Sequence, residues 1–569
     1  MKASDALTQF LITHRVQTCF ELVGGMITHI LDSFSKTGEF SIISMHHEQS
    51  AAFAAEGFAR QSRGKTVAVA MGTSGPGATN LITGIGSCWF DSVPCLFITG
   101  QINTDEIKGD RAIRQQGFQE LDIVEVVHSL TKYAVRVDNS ENLLSELHKA
   151  LSIALNARQG PVLLDIPNDI QRAEIPDILA EEWLKQPLQI SNRQKVSSRD
   201  LKKLEDLCKE AKRPLVCIGG GARWSDSLDT WLLAVESLGV PYVSTLMGNE
   251  RAVSRQNYFN MIGSYGNREA NWAVQNCDLL LVVGARLDVR QTGSDVEDFA
   301  RNARIVQIDI DPSQLANRVH ANLDICAAAD SFFREFQPRA DLFPYLDKGW
   351  LTALYGQRNR AQINEYEDWE ISPSELFKKI KHLFANEVVN YVCDVGNHQM
   401  WAAQSLRLSP GQTIHFSGGM GAMGFALPAA LGVALQSCSK TIVITGDGSL
   451  QINIQELDTL NRLGLNITII VMNNTSLGMV KNFQDMYFNG RDQSTKKGYS
   501  SPCFTDIASA YGIKSYRIDN AKSVDRVFST MFDHQGPLLI EIIMDGATEC
   551  RPRLAFGSKL DEQLPKLNG

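Results

Sequence analysis

The stretch "TIVITGDG", residues 441–448, runs a β-branched apolar series into a glycine–aspartate–glycine turn. β-Branched enrichment with no polar alternation predicts a strand covered on both faces, as in a parallel sheet. A second such run, "NITIIVMNN" at 466–474, follows a helical stretch. A strand–helix–strand crossover returns the chain to the same sheet edge, so Asp447 and Asn474, 27 residues apart, face one point. One carboxylate and one amide oxygen suit Mg²⁺, which keeps its other octahedral positions for water, carbonyl and phosphate oxygens. The amides of Gly448 and Ser449, opening the following helix, favour a phosphate. Read singly, each half is an ordinary Asp-Gly or Asn-Asn turn. The spacing joins them.

The same pattern recurs outward along the chain. "VNYVCDVG" (389–396) and "PLLIEIIMD" (537–545) complete this set. A middle set comprises "PLVCIGGG" (214–221), "LLLVVGAR" (279–286) and "ARIVQIDID" (303–311), and a first set "TVAVAMGTSGPG" (66–77), "CLFITGQ" (95–101) and "PVLLDIP" (161–167). The prediction is an α/β protein of three doubly wound parallel-sheet domains, 1–172, 190–336 and 371–547, with a tail over 548–569. The charged stretches near 172–198 and 337–370 read as linkers. A chain of 569 residues is too long for one core.

Composition narrows the function. The chain is 44% hydrophobic and 21% charged, like an ordinary soluble globular protein. A net charge of −9, with no basic aromatic stripe or ligand-spaced Cys/His cluster, argues against a nucleic-acid partner. No apolar run is long enough to span a membrane. "MKASDALTQFLITHRV" lacks the apolar core of a signal peptide. The 11 cysteines form no C-x-x-C pair and read as small core residues in a reducing cytoplasm.

"HHEQSAAFAAEGFAR", residues 46–60, sets Glu48 at the mouth of a helix lined by Ala51, Ala52, Ala55 and Ala59. Two readings stand. An acidic group there complements the helix dipole, or Glu48 handles a proton on something buried beside it. The alanine face admits a close backbone or a flat ligand. "GGMGAMGF" fits G-x-G-x-x-G through Gly419, Gly421 and Gly424, a weak nicotinamide signal because it leads into a proline-containing helix.

"GDGS" followed at this distance by "NN" resembles the diphosphate–magnesium motif of thiamine diphosphate enzymes. With "HEQSAAFAAEGFAR", "TSGPGATNLITGI", "DSVPCLFITGQ", "FQELDIV", "GPVLLDIPNDI", "GARLDVRQTG", "DVGNHQMWAAQ", "SGGMGAMGFALPAALG" and "NNTSLGMVKNFQ" in that order, residues 4–545 resemble the acetohydroxyacid synthase (acetolactate synthase) catalytic subunit. The resemblance implies a cytoplasmic transferase carrying thiamine diphosphate, Mg²⁺ and FAD, with pyrimidine-binding, central flavin-binding and diphosphate-binding domains in that order.

It also implies residue roles. Glu48 would hydrogen-bond ring nitrogen N1′ of the cofactor's aminopyrimidine and drive its tautomerisation. Met423, in the segment with Gly421 that wraps the pyrimidine, would bend the cofactor. Asn397 and His398 would stand at the diphosphate with Gly446, Gly448 and Ser449. Asp447, Asn474 and the carbonyl of Ser476 would hold Mg²⁺. Gly220, Gly221, Thr245, Leu246, Met247, Arg286, Asp288, Asp309 and Ile310 match flavin-contacting turns. Gln101 and Gln119 are similar to residues near the site's mouth, and Arg290 to the arginine that holds the carboxylate of a second keto acid. Family architecture implies a homodimer or homotetramer in which Glu48 of one subunit faces the metal half of another.

The departures concern the acceptor. Phe483 replaces a tryptophan, Ser264 a methionine, Tyr265 a histidine, Val289 an aspartate and Asn397 a glutamine. The ending "CRPRLAFGSKLDEQLPKL" resembles tails of synthase-like proteins from surface-sugar pathways, with Arg551 and Arg553 adding positive charge. The acceptor for a pyruvate-derived two-carbon unit therefore stays open between pyruvate or 2-ketobutyrate and a nucleotide-linked ketosugar giving a branched-chain sugar. A flavin-dependent pyruvate oxidase or decarboxylase shares most of the motifs. The sequence identifies no regulatory subunit.

Overall fold

Each series of apolar runs forms the centre of a six-stranded, fully parallel sheet, in a computed structural model that describes residues 1–191, 194–253, 255–361 and 365–567. The first sheet is ordered Ser41–Ser44, Thr18–Glu21, Val69–Gly72, Leu96–Gln101, Val162–Pro167, Tyr133–Arg136. The last repeats that order with Thr413–Phe416, Asn390–Cys393, Thr441–Gly446, Ile467–Asn473, Leu538–Ile543 and Lys514–Ile518. The middle sheet runs Leu323–Cys326, Arg304–Asp309, Leu279–Val283, Pro214–Ile218, Tyr242–Ser244, Tyr258–Met261. Counted within its own domain that order is 6-5-4-1-2-3, the order common among doubly wound folds, reversing between Pro214–Ile218 and Leu279–Val283.

Strand order fixes where ligands sit, in the crevice where it reverses. In the last domain the crevice lies between Asn390–Cys393 and Thr441–Gly446, whose ends lead into Asp394 and Asp447 respectively.

The stretches read as linkers are partly helical. Asp177–Lys185 lays Trp183 and Leu184 on the first domain's core. Lys348–Ala361 buries Trp350 and Leu354 on the middle domain, where the indole donates to the carbonyl of Pro214 at 3.1 Å. Their apolar residues, Leu179, Ala180, Trp183 and Leu184 in one and Trp350, Leu351, Leu354 and Tyr355 in the other, do recur at helical spacing, a short signal amid charged sequence that the linker reading passed over. Residues 192–193 and 362–364 of those stretches lie outside the described residues.

The alanine face is covered by helices, so of the two occupants the sequence left open, a close backbone or a flat ligand, it is the backbone that packs there. Helix Glu48–Gln61 crosses helix Ala426–Ser437 so closely that a Cβ on Gly57 would fall 2.1 Å from the carbonyl oxygen of Ala429, and one on Gly432 1.9 Å from that of Ala54. Gly84 approaches Ala52 in the same way from helix Ile82–Asp91. Among the described residues no helix is long and apolar enough to cross a membrane.

Candidate active site

Asp447 opens a short helix, Asp447–Ile452, directly after its strand, and is 2% exposed. Burial pushes its carboxyl up to about 6, opposed by the hydroxyl of Tyr499, which donates to it at 2.9 Å, and by the backbone N–H groups of Asn474 and Ser476. The metal-ligand candidates Asp447, Asn474 and Ser476 are therefore together. Asn474 donates its Nδ2 to the carbonyl of Ala547 at 2.5 Å, which turns its Oδ1 inward to accept from the Ser476 amide at 3.2 Å.

Glycines show how tightly the rest converges. A Cβ on Gly448 would lie 2.5 Å from Leu477 and 3.5 Å from Cε of Met423, and one on Gly478 would lie 2.6 and 2.7 Å from the Nδ2 atoms of Asn397 and Asn474. The His398 ring packs against Gly446, 2.9 Å from where a Cβ would be. Ser449 donates its hydroxyl to the carbonyl of Val395 at 2.8 Å. Nδ2 of Asn397 and Nε2 of His398 are buried without a hydrogen-bond partner. Burial holds His398 down to about 3, so its ring is neutral. Two unpaired buried polar nitrogens beside a bare glycine turn fit a diphosphate, whose oxygens would satisfy both. Among the described residues no three His, Cys, Asp or Glu side chains form a metal cluster. A site with a single carboxylate suits Mg²⁺ that shares phosphate oxygens with its ligand.

Asp394, which the sequence reading passed over, builds the adjoining turn. Its carboxylate accepts from the amides of Val395 at 2.8 Å and of Gly424 and Ala426 at 2.9 Å, and burial raises it to about 6. The turn carries Met423 between Gly421 (φ 63°) and Gly424 (φ 83°), a backbone that favours glycine. The available signal was an acid at a strand end in "CDVG", as in "TGDG". Asn453 then ties this turn to the first domain, donating to the carbonyl of Gly424 at 2.8 Å and to Gln49 at 3.1 Å.

Glu48 is the first residue of its helix, but the cap is its neighbour: Nδ1 of His47 accepts from the amide of Gln49 at 3.0 Å. Glu48 is 5% exposed, and its Oε2 accepts from Nδ2 of Asn80 at 2.9 Å. Asn80, also missed, belongs to the helix that Gly75 precedes, and the backbone of Gln119 (φ 63°) packs against Gly75. Gln101 is spent internally, donating to the carbonyl of Leu121 at 2.8 Å and to Asp165 at 3.0 Å. Among the described residues no hydrogen bond or ion pair links Glu48 directly to Asp447, Asn474 or Met423.

In the middle domain a cavity of about 570 Å³ opens at the strand-order reversal. Gly220, Gly221, Thr245, Leu246, Met247, Arg286, Asp288, Asp309 and Ile310 all line it. Two glycine turns touch there, a Cβ on Gly219 falling 2.1 Å from the carbonyl oxygen of Gly284. The volume suits a sizeable cofactor. Arg290 is exposed at this cavity, its backbone amide held by Asp288 at 2.9 Å and its guanidinium without an ion pair among the described residues.

The tail overturns one expectation. Arg551 donates to Glu549 at 2.7 Å and Asp368 at 2.8 Å, and Arg553 pairs with Glu549 at 2.6 Å. Their charge is neutralised within the tail and its support rather than offered to a ligand. Leu554 donates to the carbonyl of Ser264 at 2.8 Å, joining the tail to the middle domain. Phe483 is 53% exposed, in a ledge with Tyr487 and Phe488.

Comparison with known proteins agrees with this layout. Models described as thiamine pyrophosphate enzyme N-terminal TPP binding domain, central domain and C-terminal TPP binding domain match residues 1–126, 201–336 and 394–542. The acetolactate synthase large subunit of Cyanidium caldarium is 32% identical, covering 98% of this chain and 96% of its own. The acetolactate synthase isozyme 2 large subunit of Escherichia coli K12 is 32% identical over all of both chains. The chloroplastic acetolactate synthase of Arabidopsis thaliana is 33% identical over 100% of this chain and 85% of its own. The flavin-dependent oxidase alternative finds no support among these relatives. Similarity of this extent, over all three domains and the strand ends that carry the site, settles the matter: the chain belongs to the acetohydroxyacid (acetolactate) synthase catalytic-subunit family of thiamine pyrophosphate enzymes.

Proposed function

We propose that the chain decarboxylates pyruvate and transfers the two-carbon unit to a 2-keto acid acceptor, pyruvate or 2-ketobutyrate, using thiamine diphosphate, Mg²⁺ and FAD. The observation that carries this reading is the pair of unpartnered buried nitrogens of Asn397 and His398 beside Asp447 and Asn474. Bound thiamine diphosphate supplies the electron sink that lets a 2-keto acid lose CO₂. In this reading Asp447, Oδ1 of Asn474 and the carbonyl of Ser476 hold Mg²⁺. Asn397 and His398 donate to diphosphate oxygens, alongside the amides of Gly448 and Ser449. Met423 sets the cofactor's shape from a turn fixed by Asp394. Glu48, buried and oriented by Asn80, holds the proton at ring nitrogen N1′, where the absence of competing water strengthens the bond. Its opposite half belongs to a second copy of the chain. The middle cavity takes FAD. With all eleven cysteines unpaired, the chain suits a reducing, cytoplasmic setting.

Arg290 offers an unpaired planar fork suited to a carboxylate, and this favours a keto-acid acceptor. The aromatic ledge at Phe483 favours a second reading, a larger nucleotide-linked ketosugar, which loses the support of Arg551 and Arg553. Incubation with labelled pyruvate, alone and with 2-ketobutyrate or nucleotide ketosugars, followed by product mass, decides between them. Efficient acetolactate formation without sugar supports the first. Product only with a ketosugar overturns it.

A further inference from the structure

Between the middle cavity and the Met423 turn lies a buried charge cluster that the proposed chemistry does not use. Arg60 donates to Glu56 at 2.6 Å, Asp91 at 2.5 Å and Glu250 at 2.9 Å. Arg223 pairs with Glu250 at 3.2 Å and donates to the backbone carbonyl of Asp91 at 2.6 Å. Three carboxylates meet two guanidiniums, and Oε2 of Glu56 and Nε of Arg223 have no hydrogen-bond partner. Apolar residues of similar volume would hold a domain junction as well or better, so stability alone does not explain the cluster.

What the carboxylates hold next does. Asp91 accepts from the amides of Gly418 at 3.0 Å and Gly419 at 2.7 Å, and Glu250 from that of Phe416 at 3.1 Å. These residues are the root of the turn that reaches Met423. Gly418 and Gly419 also line the middle cavity with Asp91 and Arg223, and a Cβ on Gly418 would fall 2.2 Å from Sδ of Met247 on the cavity wall. One piece of backbone is the wall of one site and the root of the other.

We propose that Arg60 is a positioning residue that makes occupancy of the middle cavity by FAD and of the Met423 turn by thiamine diphosphate mutually reinforcing. The inference rests on the cofactor assignments proposed above. Its fork engages all three carboxylates at once, so an ordered cavity wall fixes Asp91 and Glu250, and they fix the amides of Phe416, Gly418 and Gly419. Linkage requires the same tightening factor in both directions.

Wild-type apoprotein is titrated with thiamine diphosphate plus Mg²⁺, followed by tryptophan fluorescence, with and without saturating FAD. It is also titrated with FAD, followed by flavin fluorescence, with and without thiamine diphosphate. Each cofactor should tighten the other by one common factor, within about 5–150-fold. Arg60→Lys keeps the charge without the fork and should bring both factors close to one. A purely structural role would change affinities or thermal stability but leave the reciprocal factor intact. Should Arg60→Lys fail to fold, Asp91→Asn replaces it with the same expected loss. Equal affinities in wild type with and without the second cofactor, or linkage that survives substitution, overturn the proposal. Failure of FAD to bind at all overturns the flavin assignment and the proposal with it, while the thiamine diphosphate titration alone reads the other assignment separately.

Discussion

The crossing of helices Glu48–Gln61 and Ala426–Ser437 makes a sharp prediction, because one of them begins with the proposed proton-handling acid. In Gly432→Ala the new Cβ would sit 1.9 Å from the carbonyl oxygen of Ala54 and 2.7 Å from the amide of Phe58. An ordinary non-bonded contact needs about 3.5 Å, so the helices must part by roughly 1.5 Å. Overpacking of that kind costs about 1–3 kcal/mol, against which alanine's better helix propensity returns at most about 1 kcal/mol. Displacement of a reacting group by ~1 Å costs about a hundredfold in rate. Gly432→Ala should therefore lower the thermal midpoint, read by circular dichroism, and cut CO₂ release from pyruvate by about two orders of magnitude. Gly356→Ala is the control. It sits in the helix Lys348–Ala361 with nothing within 4 Å of its Cβ position and should stabilise slightly, by about 0.5–1 kcal/mol. Wild-type turnover and midpoint in Gly432→Ala would refute the idea that this contact positions Glu48.

Glu48→Gln, which keeps size but cannot exchange the proton, should slow CO₂ release from pyruvate by about 10²–10⁴; near wild-type turnover ends the proton-handling role. Arg290→Lys should raise the KM for 2-ketobutyrate as acceptor about tenfold by losing the planar fork, leaving the first-turnover release of CO₂ from pyruvate unchanged; an unaltered acceptor KM removes Arg290 from the site. Burial raises Asp165 from 3.8 to about 7, although Thr99 and Gln101 donate to it at 2.7 and 3.0 Å. The folded chain thus keeps that proton longer than the unfolded chain, and the stability gained is whole below about pH 4 and lost as pH rises to about 7. The gap between wild type and Asp165→Asn in urea unfolding should drift by about 1.4 kcal/mol per pH unit across that window; a constant gap contradicts the assignment.

Strands at sheet centres were legible because burial on both faces leaves uninterrupted apolar runs that end in glycine or acid, as in Thr441–Gly446. Edge strands were not: Ser41–Ser44 and Lys514–Ile518 are half exposed, and their apolar residues are too few and too interrupted by polar ones to form a run. The same division holds at the site. Asp447 and Asn474 are tied by a crossover of fixed length and could be paired on paper. The residues that orient the site work across the fold instead. Asn80 reaches Glu48, Tyr499 reaches Asp447 and Asp394 reaches Gly424 through separations of 32, 52 and 30 residues, with no local pattern to mark them. The alanine face showed that a close backbone or a flat ligand had to fit, but which of the two depended on helix Ala426–Ser437, more than 360 residues away in sequence. Arg551 looked like free charge although its partner Glu549 stands two residues away; only its second partner, Asp368, lies far off in sequence.

The first and last domains share one strand order, yet Glu48 stands in one and the metal-ligand candidates in the other, with no direct hydrogen bond or ion pair between them among the described residues. If the active pairing forms between two copies, two inactive variants should rescue each other. Glu48→Gln carries an intact metal half and Asp447→Asn an intact acid. In a mixed dimer one of the two sites then combines Glu48 of one chain with Asp447 of the other, and its opposite carries both lesions. Statistical mixing makes half the dimers mixed, so refolding or exchange of equal amounts should recover about a quarter of wild-type CO₂ release. Pairing within a single chain predicts no recovery at any mixing ratio. Each mixed preparation is checked for dimers by light scattering, and silence from confirmed heterodimers would place both halves of the site in one subunit.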